Sequence, residues 1–131
     1  MSKRKNVPFS IKALELLIKK GYKIRYTIVG KIVDKRIYKL ISEKSFIHYV
    51  SPKPTYELLN IYRAHDIFIM PSITETFGLV YAEAMSQGLP VIYTRGQGFD
   101  KQFEEGVVGY SVDCTDVIEM SERIIDIINN Y

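Results

Sequence analysis

Residues 67–93 leave this chain few folds to choose from. An apolar run at 67–70 is closed by Pro71, which cannot donate to a sheet ladder and so ends a strand. Thr74 or Thr76 can cap the helix that follows, and Gly78 opens a run of helix formers lasting to Gly88. Gly88 stops that run just before Pro90, and Val91-Ile92-Tyr93 reads as a second buried strand. Strand, short loop, helix and strand make one βαβ unit. Such a unit needs a parallel sheet covered by helices.

The turn of the unit suits a ligand that carries both phosphate and hydroxyl groups. The amides of Phe77, Gly78 and Leu79 fall at the helix N-terminus, where N–H groups lack intrahelical partners and the dipole favours an anion. Gly78 has no Cβ to hold a ligand away from the backbone. Glu75 precedes these amides, and Glu83 lies about a turn and a half into the helix. A carboxylate accepts hydrogen bonds and donates none, so beside an anion it serves hydroxyls better than more negative charge. The competing explanation is a surface helix with two solvated glutamates.

The same alternation runs through the rest of the chain. Pro8 and Ser10 begin a helix with Ile11, Ala13, Leu14, Leu17 and Ile18 on one face, ended by Gly21. A strand over 24–29 closes at Gly30, and a helix over about 34–43 is expected to bury Ile37, Tyr38, Leu40 and Ile41. A strand at 46–50 leads into the turn Ser51-Pro52-Lys53-Pro54. A third helix, roughly 55–64, turns Leu58, Leu59 and Tyr62 inward. Beyond Tyr93 come a loop with Gly96 and Gly98, a short strand at 109–112, and a helix over about 115–129 packing Val117, Met120, Ile124 and Ile128. The pattern predicts an α/β domain with a mostly parallel sheet flanked by helices. Ligands of such sheets bind beyond the strands' carboxyl ends, here Gly30, Ser51, Ser72 and Thr94.

At 131 residues the chain is one domain, long enough for a core. It has no apolar run of membrane-spanning length and no secretory signal, and its single cysteine, Cys114, cannot form an internal disulfide. A reducing, cytoplasmic setting is expected, and no cofactor or metal, because the ligands for a metal are not clustered. Charge is uneven. Residues 1–53 carry 14 Lys and Arg against 3 Asp and Glu, whereas 54–131 carry 4 against 12. The first half can therefore present a basic surface to a diphosphate or to an anionic membrane face. Nucleic acid is disfavoured, since aromatic residues are not interleaved with the basic ones in a base-stacking pattern.

Glu75 and Glu83, set in Pro71-Ser72-Ile73-Thr74-Glu75-Thr76-Phe77-Gly78 and Glu83-Ala84-Met85-Ser86-Gln87-Gly88-Leu89-Pro90-Val91, resemble the E-x7-E segment of retaining nucleotide-sugar glycosyltransferases of the GT-B type. The likeness is to glycosyltransferase family 4, the glycosyl transferases group 1, and extends to Lys5-Asn6 and to Ile28-Val29-Gly30. It implies a Rossmann-like domain, the C-terminal, donor-binding half of a GT-B fold. By the same resemblance Glu83 would bind ribose hydroxyls and Glu75 hydroxyls of the donor sugar. The amides of Phe77, Gly78 and Leu79 would meet sugar and diphosphate, Lys5 would pair with the diphosphate, and the loop from Ser51 to Pro54, with Lys53, would meet the base. Glu75 and Lys5 are then the catalytic candidates. Asp100 stands where many members have a glutamate, and Gln97 separates two glycines that are adjacent in them, which bears on sugar specificity. Arg95 is open to either an anion or solvent, and His48 and His65 are expected to be structural.

Two parts of the family pattern have no counterpart in residues 1–131: the acceptor-binding half and the first strand with its Gly-Arg. The expected role is thus the donor domain of a larger enzyme that moves sugar from a nucleotide diphosphate to a glycan or lipid acceptor in cell-surface polysaccharide or glycolipid synthesis. Its acceptor would be bound by an N-terminal domain or a separate chain, in the cytoplasm or at the inner face of the membrane. The alternatives are a non-catalytic nucleotide-sugar-binding module, the donor subunit of a split glycosyltransferase, and a related nucleotide-sugar epimerase.

Overall fold

A computed structural model describes residues 6–31, 34–71, 79–95, 106 and 108–130, with backbone alone at 79 and 80. The first helix, α1 (Val7–Lys19), has Pro8 in its opening turn and buries Val7, Ile11, Ala13, Leu14 and Leu17. Gly21, at φ 98°, ends it, a backbone conformation natural only to glycine. Then come β1 (Tyr26–Val29), α2 (Lys35–Ser42), β2 (Ile47–Val50) and α3 (Thr55–Arg63). The second half holds β3 (Phe68–Ile69), α4 (Leu79–Ser86), β4 (Val91–Thr94), β5 (Gly109–Val112) and α5 (Val117–Asn130). Gly88 at φ 85° terminates α4, as its sequence predicts.

Among the described residues every strand pairing is parallel, and the strands form two separate sheets, β1-β2 and β3-β4-β5. The two sheets are separated by a break between β1 and β3. A cleft of about 1100 Å³ opens there, lined by both strands. β4 is buried along its whole length, with Ile92 packed under α1 and α5 and Val91 and Tyr93 packed under α4. A strand covered on both faces must be apolar throughout, which is why residues 91–93 do not alternate. On the α4 side, Tyr62, Phe68, Tyr81 and Tyr93 meet successively edge to face, with centroids 5.6–6.3 Å apart. On the other side α1 and α2 cover Ile28 of β1 through Val7, Ile11, Ile37 and Ile41.

Several expected core positions are not core. Tyr38 is 57% exposed and Leu40 half-buried, because α2 presents only the Ile37–Ile41 edge to α1 and β1. Ile128 is 41% exposed and Ile127 takes its place at 2%, completing a stripe with Met120 and Ile124 at three- and four-residue steps. Ile18 sits at the rim of α1, and none of the residues of α3 is fully buried. His48 is exposed on β2, not in an apolar strand, since that strand lies at the outer edge of its two-stranded sheet.

Asn6, just before α1, has left-handed φ 57° and ψ 39° and does not cap the helix with its side chain. Its Nδ2 instead donates to the carbonyls of Pro71 (3.0 Å) and Cys114 (2.9 Å). One side chain thus ties the start of α1 to the ends of β3 and β5, and asparagine tolerates this backbone better than most residues. Asn6→Ala should lose about 1.5–3 kcal/mol in urea denaturation, two net hydrogen bonds plus left-handed strain. Asn6→Gly removes the strain but not the loss of the bonds, so it should recover only part. A glycine variant as stable as the parent would show that the two bonds contribute nothing.

Candidate functional site

Gly30, Pro52 with Lys53, and Met70, which follow β1, β2 and β3, line the cleft, and Glu83 of α4 lines it too. Asn6 brings the N-terminus of α1 to the end of β3, and neither α1 nor α4 has an acidic residue in its first turn. Two helix N-termini without acidic side chains favour an anion in their vicinity.

Glu83 is held by the attachments of its helix. The Tyr81 hydroxyl donates to the Met70 carbonyl, which ties α4 to the point where the loop before it begins. Arg63 Nε donates to Gln87 Oε1 at 2.9 Å, tying α4 to α3. The half-buried Glu83 accepts a long hydrogen bond, 3.5 Å, from the Tyr62 hydroxyl. Burial, and then the neighbouring Glu83 carboxylate, push the Tyr62 phenol up to about 12, so it stays a neutral donor. One bond at the outer limit of length leaves most of the carboxylate's accepting capacity for a ligand.

Lys53 lies exposed in the loop after β2, without an ion-pair partner among the described residues, and Ser51 is exposed in the same loop. Lys53 and Glu83 thus line the same cleft, and Ser51 lies in the loop with Lys53. Leu79 is the first residue of α4, so its amide lies at the helix N-terminus. Lys5, Glu75, Phe77 and Gly78 lie outside the described residues, as do Ser72, Thr74, Thr76, Gln97 and Asp100.

Arg95 is engaged within the fold. Its Nη2 meets Glu119 Oε2 at 3.0 Å and its Nε meets Ser111 Oγ at 3.3 Å. Glu119 also accepts from the Asp113 amide at 2.7 Å, so this pair braces β4 and β5 against α5. His65 is likewise occupied. Its Nδ1 lies 2.6 Å from the Ile61 carbonyl, which only accepts, so that nitrogen donates, and its Nε2 is hydrogen-bonded to Thr27 Oγ1 at 2.7 Å. Among the described residues no group of three His, Cys, Asp or Glu is placed to hold a metal.

Sequence reading missed Asn6 as the tie at this rim and Tyr62 as the neighbour of Glu83. Asn6 stood beside a family lysine and could have been suspected from that position. Tyr62 fitted the inward stripe of its helix, and no local pattern marks which glutamate a core tyrosine will reach.

The sequence profile of the family "Glycosyl transferases group 1" matches residues 1–131. A D-inositol 3-phosphate glycosyltransferase of Corynebacterium urealyticum is 43% identical over 70 residues, 53% of this chain and 16% of that protein. The chain spans less than a quarter of the curated relatives it matches. Among solved structures, the C-terminal domain of the glycosyl transferase group 1 family protein LpcC from Francisella tularensis superposes with a TM-score of 0.83 at 21% identity, covering 99% of this chain and 72% of that one. The pneumococcal O-GlcNAc transferase GtfA, crystallised with UDP and GlcNAc, superposes at 0.82 and 21% identity, covering 98% of this chain and 27% of that one. The fold is the Rossmann-like α/β domain of GT-B glycosyltransferases.

Proposed function

Because this chain belongs to the glycosyl transferases group 1 family, we propose that it binds the nucleotide-sugar donor of a retaining, family 4 glycosyltransferase. The observation that carries the reading is Glu83: a half-buried carboxylate with spare accepting capacity, in the helix that follows β3 and in the wall of the cleft that Gly30, Lys53 and Met70 also line. A diphosphate fits the helix ends and Lys5, and ribose hydroxyls fit Glu83. Glu75 takes hydroxyls of the donor sugar, Phe77, Gly78 and Leu79 offer amides to sugar and diphosphate, and the loop with Ser51 and Lys53 meets the base.

Catalysis in this reading is electrostatic and positional. Lys5 and the helix amides stabilise charge growing on the departing diphosphate, while Glu75 holds the sugar at the reacting centre. Neither glutamate is assigned as a nucleophile, and no metal takes part. The acceptor, a glycan or lipid, is bound by polypeptide outside residues 1–131. The setting is the cytoplasm or the inner face of a membrane, in cell-surface polysaccharide or glycolipid synthesis.

Titration calorimetry of the 131-residue chain against uridine, guanosine and adenosine diphosphates and their sugar derivatives tests this. Weak binding without sugar transfer is the expected result; transfer by this chain alone would refute the assignment of acceptor binding elsewhere. Glu75→Ala should spare the free nucleotide and weaken only the nucleotide sugar. Equal losses for both ligands would reject the division of work between Glu75 and Glu83.

A further inference from the structure

Two adjacent carbonyls at the end of β3 each hold a helix. The Pro71 carbonyl accepts from Asn6 Nδ2 at 3.0 Å, and Asn6 immediately precedes α1. The Met70 carbonyl accepts from the hydroxyl of Tyr81, the third residue of α4. The start of α1 and the first turn of α4 are therefore anchored one residue apart on the same piece of chain. Glu83 follows Tyr81 by two residues, so these anchors also relate its carboxylate to the start of α1.

Asparagine at this position ordinarily does something else. Directly before a helix, its side-chain oxygen accepts from an amide of the first turn and so steadies the helix. Here the backbone is left-handed, no such bond forms, and Nδ2 goes to the Pro71 and Cys114 carbonyls. The amides of Val7 and Phe9, in the turn that Asn6 leaves uncapped, have no hydrogen-bond partner among the described residues, and Pro8 has no N–H. A cap would serve the helix itself better. What the two long-range bonds serve is its place, at the ends of β3 and β5.

We propose that Asn6 is a positioning residue for the donor's diphosphate: by fastening the start of α1 to the chain that also anchors α4, it sets the gap between two helix starts that the diphosphate spans. The inference rests on the reading of Glu83 as the acceptor of ribose hydroxyls, which places the nucleoside against α4. The phosphate next to the nucleoside then stays with α4, and the outer phosphate is the one that reaches α1. Asn6 touches neither and acts through α1. A displacement of that helix by about 1 Å is enough to spoil hydrogen bonds to a phosphate oxygen.

The test titrates the parent chain and Asn6→Gly with the mono- and diphosphates of uridine, guanosine and adenosine. Glycine keeps the left-handed backbone open and deletes both bonds. For the base that the parent binds, the diphosphate should lose about tenfold or more in affinity while the monophosphate changes little, so the ratio of the two falls. Partial unfolding lowers both affinities by one factor and leaves the ratio untouched, so the ratio separates positioning from stability. A ratio equal to the parent's, whether both affinities fall together or neither moves, overturns the proposal. So does a loss confined to the monophosphate. Should the glycine variant be largely unfolded, the same titrations are run in sucrose, which favours the compact state. Failure of the donor reading has a different signature: the parent itself then binds neither nucleotide, which refutes that reading and this inference with it.

Discussion

Replacing Gly109 with alanine should leave the chain without a cooperative unfolding transition, or cost it more than about 3 kcal/mol. Gly109 opens β5 opposite Val91 of β4, at φ 151°. A Cβ at this position would lie 1.8 Å from the Val91 carbonyl oxygen and 2.7 Å from its carbon and nitrogen. Those atoms are backbone and cannot rotate aside. Val91 is itself 0% exposed, and its amide is bonded to Val108 at 2.9 Å, so relief would require parting β4 from β5. The domain's whole margin is about 5–15 kcal/mol, and this pair of strands lies at the centre of its core. Gly88→Ala is the control. Gly88 has φ 85° but nothing within 4 Å of the added carbon, so only left-handed strain of about 1–2 kcal/mol is expected. Urea denaturation followed by circular dichroism measures both. A Gly109 variant with the midpoint of the parent would mean that β4 and β5 are not paired as described.

Glu83→Ala should weaken the binding of a nucleoside diphosphate by about 1.5–3 kcal/mol, roughly 10- to 150-fold. The loss is that of hydrogen bonds from ligand hydroxyls to an ionised acceptor, larger than for neutral partners. The side chain is only half-buried and its internal bond, to Tyr62 at 3.5 Å, is long, so melting should change little. Tyr62→Phe separates the two contributions. It removes that bond while leaving the carboxylate, and affinity should fall far less than in the alanine variant. An unaltered dissociation constant in Glu83→Ala would remove this residue from the site and with it the main support for donor binding.

Much of the framework was legible because it is local. Apolar runs at 67–70 and 91–93 and Gly21 and Gly88 after their helices each act within a turn or two of chain, and so does Asp34, which the sequence places inside its helix and the structure just before it. Asp34 accepts from the Arg36 amide at 2.8 Å, which holds its carboxyl below the ordinary range. Hydrogen bonding that can be closed over two to four residues leaves a mark in the sequence. The βαβ reading of residues 67–93 and the family resemblance both rest on signals of that kind, and the architecture follows them.

Which stripe of a helix is buried is decided at a longer range. Val117, Met120, Ile124 and Ile127 or Ile128 are equally acceptable by period; packing of α5 beneath α1 selects Ile127, and the break between the sheets leaves Ile128 at the cleft. The same holds for the partners of polar groups. Arg95 could have met solvent or an anion on sequence grounds, and Glu119, 24 residues away, claims it. Asn6 reaches carbonyls 65 and 108 residues distant. The sequence alone determined that this chain would alternate strands and helices and carry a carboxylate beyond a glycine turn. Only the tertiary structure decided that the sheet is split between β1 and β3, because backbone groups find or lose their partners according to which strands lie side by side, and no residue type records that.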